Sequence, residues 1–124
     1  MKRFAVAIIF FVSVIALSLA EMVYINHLSV RLYDSIDTTA ALYSQNSVAA
    51  ESKAQDAIEL WEGNKFWLSI FINHDKLDEI SEAFILLKMN CKNDEQEFNL
   101  AVNDLSFLIK DMVKEESLSI YSFL

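Results

Sequence analysis

Proline is absent from this 124-residue sequence, and glycine occurs once, at Gly63. At average usage of about 5% and 7%, a chain this long carries roughly six and nine. Sandwiches, barrels and dinucleotide-binding folds use those residues in tight turns and phosphate loops, so the shortage argues against them. Cysteine also occurs once, at Cys91. That excludes an intramolecular disulfide framework and any paired-cysteine zinc or redox site. Cations are scarce too: 10 Lys and Arg stand against 18 Asp and Glu, a formal net charge of −8. Nucleic-acid binding needs clustered cations to displace counterions, so the balance speaks against it. Walker loops, GxSxG and HExxH are missing. So are the Glu-x-x-His pairs of di-iron bundles, because Glu21 is followed by Tyr24 and Glu62 by Lys65. The reading is a protein that is not an enzyme, with no cofactor expected.

What is present begins with an apolar run. Residues 4–20 carry no charge, follow Lys2 and Arg3, and lead through Glu21 into Met22, Val23, Tyr24 and Ile25. At about 1.5 Å per residue, residues 4–25 extend roughly 33 Å, against a hydrocarbon core of about 30 Å. Residues 1–25 therefore read as a signal-anchor transmembrane helix in contact with the lipid bilayer, with Tyr24 at headgroup depth. The competing reading is a signal peptide cut after Ala20, since Ser18-Leu19-Ala20 offers small residues at the right spacing, and the product would be secreted. The run exceeds the usual core of about 7–15 residues, and Met-Val-Tyr-Ile is a poor start for a solvated chain. The anchor is preferred on both counts. A cationic flank stays in the cytoplasm, which predicts a single-pass cell-membrane protein with residues 26–124 outside. All 18 acids lie beyond residue 20. Their repulsion from anionic lipid predicts a bundle that stands off the membrane.

Beyond the anchor the periodicity is helical. Ile25, Leu28, Leu32, Ile36, Ala40 and Tyr43 recur at three- and four-residue steps. Ala54, Ala57, Ile58, Trp61, Leu68, Phe71 and Ile72 form a second stripe. Leu77, Ile80, Phe84, Leu87 and Cys91 form a third, and Phe98, Val102, Leu105, Leu108 and Met112 a fourth. The fold class is all-α: an N-terminal transmembrane helix continuing into an antiparallel three- or four-helix bundle. Helices are predicted at about 26–44, 47–72, 75–92 and 94–115. Ser47, Asp75 and Asn93 or Asp94 are the expected caps, and Lys110 and Lys114 are expected near the last C-terminus. Gly63 costs about 1 kcal/mol inside a helix; the expectation is a continuous or mildly bent one. Cys91 is expected to be a small buried hydrophobe. The apolar tail, Leu118, Ile120, Tyr121, Phe123 and Leu124, either folds back over the bundle or forms a patch for a partner or membrane.

Two clusters stand out as contact candidates. His74, Asp75 and Asp78, with Glu79 and Glu82, put an imidazole and carboxylates at a helix start. That run suits a divalent cation, although capping and a solvated acidic face explain the same residues. Trp61, Asn64, Phe66, Trp67 and Phe71 make a dense aromatic stretch. Residues 66–72 are apolar on every side except at Ser69, and a helix of that kind is buried all round. In a small bundle this points either to core packing or to a partner over the outer face. His27, just past the anchor, reads as a solvated interfacial residue. Ala16 and Ala20 offer a weak small-residue pair for packing a second membrane helix.

Residues 61–65, Trp-Glu-Gly-Asn-Lys, and 68–80, Leu-Ser-Ile-Phe-Ile-Asn-His-Asp-Lys-Leu-Asp-Glu-Ile, are where the chain resembles a known family. It is similar to the domain of unknown function family four-three-six-three. Gly63 departs from the charged helix former expected of that pattern. The resemblance implies small membrane-anchored helical proteins of spore-forming bacteria. It carries no known activity, cofactor or catalytic residue. It also implies an association with genes for another unassigned integral membrane family, so an integral membrane protein is the expected partner; self-association stays open. The function expected is a non-enzymatic accessory subunit of a membrane complex. The alternative is an extracytoplasmic four-helix sensor or small-ligand module near His74, Asp75 and Asp78.

Overall fold

A computed structural model describes the backbone of residues 1–123 and the side chains of residues 1–118. Among the described residues there are four helices and no strand: α1 Lys2–Tyr43, α2 Ser47–Leu68, α3 His74–Asn90 and α4 Glu95–Phe123. Each packs on its chain neighbours, and α4 closes the ring against α1. The result is an up-down-up-down bundle, the arrangement that short links between amphipathic helices favour. The four predicted stripes turn inward except at Phe71, which is exposed, with Leu32, Trp61, Leu77, Ile80, Leu87 and Leu105 fully buried. Ala50, Ala54 and Ala57 are also at 0% exposure. Their small side chains let α2 approach its neighbours closely.

The apolar run and the first bundle helix are one rod. α1 runs unbroken for 42 residues, about 63 Å at 1.5 Å per residue. Its second half supplies Ile25, Leu28, Leu32 and Ile36 to the core. Its first half contains an 18-residue stretch, long and apolar enough to cross a membrane, of which 0% is buried.

Local chemistry sets the turns, in places differently from the expectation. Asn46, not Ser47, caps α2: its side chain accepts from Val48 N at 3.0 Å and Ala49 N at 3.2 Å. α2 stops at Leu68, four residues short of the predicted end. There the Ser69 hydroxyl donates back to the Phe66 carbonyl, competing with continuation of the helix. Residues 70–72 continue in tighter turns that fold Ile72 into the core. Asn73, rather than Asp75, then caps α3 by accepting from Asp75 N at 2.8 Å. Asp94 caps α4 through Glu97 N at 2.9 Å. α4 continues to Phe123, past the predicted 115, so Lys110 and Lys114 lie inside it rather than at its end. Gly63 lies within the unbroken α2, exposed, and a Cβ added there would meet no neighbour within 4 Å.

The two ends of the bundle follow from this path. The distal end carries the 44–46 and 91–94 links. There the Tyr43 ring stacks on Phe98 at 3.9 Å and its hydroxyl donates to the Asn93 carbonyl at 2.5 Å. The proximal end, from which the free half of α1 projects, carries the α2–α3 corner and the last turns of α4. Leu118 is exposed there. The expected fold-back of Ile120, Tyr121, Phe123 and Leu124 lies outside the described side chains.

Candidate functional site

The structure separates the sequence-predicted contact residues into three groups. Trp61 is removed from any surface role, because it is 0% exposed in the centre of the core. Its indole Nε1 donates to Ser81 Oγ at 2.8 Å and its ring lies 5.7 Å from Phe84. A buried indole N–H needs such a partner, and Ser81, not singled out in the sequence, supplies it. Ser81 in turn donates to the Leu77 carbonyl. Asn64 is a strut. Its Oδ1 accepts from the Tyr24 hydroxyl at 2.6 Å and its Nδ2 donates to the Leu60 carbonyl at 2.8 Å. It therefore ties α2 to α1 where α1 leaves the bundle.

The second group, His74, Asp75 and Asp78, faces solvent in the first turns of α3. Asp78 pairs with Lys65 at 3.0 Å, an exposed contact of little energetic weight. Among the described residues, no group of three or more His, Cys, Asp and Glu side chains is arranged to hold a metal ion. The side chains of His74, Asp75 and Asp78 lie on the exposed face of the first turns of α3, as a capped, solvated helix start does. His27 is likewise exposed. Cys91 is buried and free, and burial pushes its thiol pKa up, which suits the inert role expected of it.

The third group is the α2–α3 corner. Phe66, Trp67, Ile70 and Phe71 are 70%, 58%, 61% and 43% exposed. The all-round apolar stretch is thus not buried within its own chain; α2 ends inside it, and only Leu68 and Ile72 turn inward. Phe66 and Trp67 meet edge to face at 5.5 Å. Trp67 and Phe71 share an open groove of about 270 Å³ with Leu17, Ala20, Glu21 and Tyr24 of α1. The corner therefore lies level with the distal end of the apolar run.

Ionisable groups frame this end. Lys76 of α3 reaches Asp111 and, at 2.8 Å, Glu115 of α4. Burial disfavours its charge, but the two carboxylates outweigh burial and hold its pKa above the ordinary value. Glu116 of α4 faces Glu21 of α1. Burial, the hydrogen bond to Glu21 and the charges of Glu21 and Glu115 push the Glu116 carboxyl up to about 8. One Glu21 oxygen, Oε1, is buried without a donor.

These features define a class: an all-α bundle whose first helix carries a candidate membrane span. A family model described as Domain of unknown function (DUF4363) matches residues 19–122. The chain belongs to that family. No curated protein and no solved structure matches it significantly.

Proposed function

We propose that this chain is a non-enzymatic, membrane-anchored helical accessory subunit of a membrane complex. Residues 4–25 cross the bilayer, Lys2 and Arg3 stay on the cytoplasmic side, and the bundle stands outside. The observation that carries this reading is the uncovered half of α1. An apolar helix with none of an 18-residue stretch buried, continuous with a folded bundle, is stable only in lipid or against another apolar surface. Ala16 and Ala20 offer one face for a neighbouring membrane helix.

The test is recovery of full-length, C-terminally tagged protein from native membranes in mild detergent, with mass spectrometry of its N-terminus and companions. The expected result is an uncleaved start at Met1 or Lys2, together with a stoichiometric integral membrane protein. A soluble product starting at Glu21 and free of companions overturns it.

A second reading, an extracytoplasmic four-helix sensor, has one observation behind it. Glu51, Gln55, Ile58, Ile85, Lys88, Met89 and Lys92 line an open groove of about 500 Å³ between α2 and α3. A ligand selective for the folded state raises the melting temperature. An unchanged melting temperature across calcium, zinc and a panel of anionic metabolites removes this reading.

A further inference from the structure

We infer that the α2–α3 corner is a second membrane contact: Phe66, Trp67, Ile70 and Phe71 insert into the interfacial layer of the bilayer that α1 crosses. This rests on the proposed anchoring of α1 and adds where the bundle lies on the lipid.

The occupant follows from position. Trp67 and Phe71 share a groove with Leu17, Ala20 and Tyr24. Those three α1 residues form the last turns of the apolar run, where the helix passes from hydrocarbon to headgroups. Because the Tyr24–Asn64 hydrogen bond and the buried Leu68 fasten the end of α2 to the bundle, the corner is held at that height. Residues 66–73, Phe-Trp-Leu-Ser-Ile-Phe-Ile-Asn, carry no charge. Indole and phenyl rings are the side chains favoured at this depth. In water, four adjacent exposed apolar side chains are a liability; at the interface they are solvated by acyl chains and glycerol. The groove beneath them is lined mainly by apolar side chains, with Glu21 at its edge, so acyl chains fill its apolar part.

The acidic character of the chain does not oppose this placement. Net charge predicted a bundle standing off the membrane, but charge acts locally, within about a Debye length of 8–10 Å. Lys76 lies between Asp111 and Glu115, and Lys65 beside Asp78, which offsets part of the negative charge at this end; Glu21, Glu116 and the exposed Asp75 are there too.

Full-length protein reconstituted in phosphatidylcholine vesicles tests this with its own two tryptophans. Flotation reports the anchor. Subtracting the emission of Trp67→Phe from that of the parent isolates Trp67, with Trp61 as the buried reference. The expected result is loss of Trp67 emission to lipids brominated near the carbonyl end of the acyl chain. Less loss is expected to deep bromines, and little to aqueous iodide. Flotation with Trp67 open to iodide and untouched by bromine overturns the corner contact and leaves the anchor standing. Flotation with Trp67 shielded from both quenchers also overturns it, because a protein surface, such as a second copy, then covers the corner. Failure to float overturns anchor and corner together.

Discussion

Both halves of α1 carry large apolar side chains along their whole length, yet those side chains have opposite fates. Residues 25–43 put Ile25, Leu28, Leu32 and Ile36 into the core at 2% exposure or less, and leave Val30 and Arg31 outside. In the run before Glu21, Phe4, Ile9, Phe10 and Leu17 are all more than half exposed. The more apolar half is the uncovered one, so pattern and not apolar content decides what the bundle buries. A stripe on one side asks for a partner on one side, which α2 and α4 supply. A run apolar on every side asks for a medium. The same contrast recurs over six residues of α2, between Trp61 in the core and Trp67 at the corner.

The largest expected effect comes from setting Trp61→Ala against Trp67→Ala. Removing Trp61 leaves a cavity and strands Ser81, and should cost about 3–5 kcal/mol. Removing Trp67 should change fold stability by less than about 0.5 kcal/mol. Denaturant unfolding of the full chain in detergent, followed by circular dichroism, reads both. Comparable losses would refute the separation of core from corner.

Leu32→Ala against Ile9→Ala applies the same logic to the two halves of α1. The first should cost about 2–5 kcal/mol. The second should leave the unfolding midpoint of the bundle unmoved, because Ile9 is 66% exposed.

The carboxyl pair probes the boundary between the halves. An acid whose pKa is raised on folding contributes stability that is fully present below its unfolded value. For Glu116 that contribution should fall away from about pH 4.5, the ordinary value, to about pH 8, where the folded group ionises. Glu116→Gln cannot ionise. Its melting temperature should gain on the parent as pH rises from 5 to 8. Parallel pH profiles would mean that folding does not raise the Glu116 carboxyl.

The smallest effect belongs to Gly63→Ala. The site is exposed, helical and free of neighbours within 4 Å. Adding a methyl group should stabilise by about 0.5–1 kcal/mol through backbone entropy alone. Destabilisation would show that Gly63 is needed for a bend or a close approach.

Much of the fold was legible because helical stripes are local. The Leu77-Ile80-Phe84-Leu87-Cys91 seam is wholly buried, as its spacing required. The caps were legible only to within two residues. Asn46, Ser47, Asn73 and Asp75 are all competent caps, and the tertiary path decides which one leaves the helix. The candidate site was harder to read. Trp61 and Trp67 lie in one aromatic stretch, and composition treats them alike. Ser81 drew no notice, since a lone serine in a helix has no signal until an indole is placed against it.

Composition and periodicity were enough for the all-α class, the four stripes and the uncharged run long enough to span a membrane. Each depends on residues within a few turns of one another, where helical periodicity converts order into a face. Packing in three dimensions was needed to stop α2 at Leu68, to brace Tyr24 with Asn64, to bring Glu116 to Glu21, and to set the aromatic corner level with the end of the apolar run. The side-chain pairings among these join residues about 40 to 95 positions apart. Close packing of four helices fixes their heights, and no local pattern encodes them.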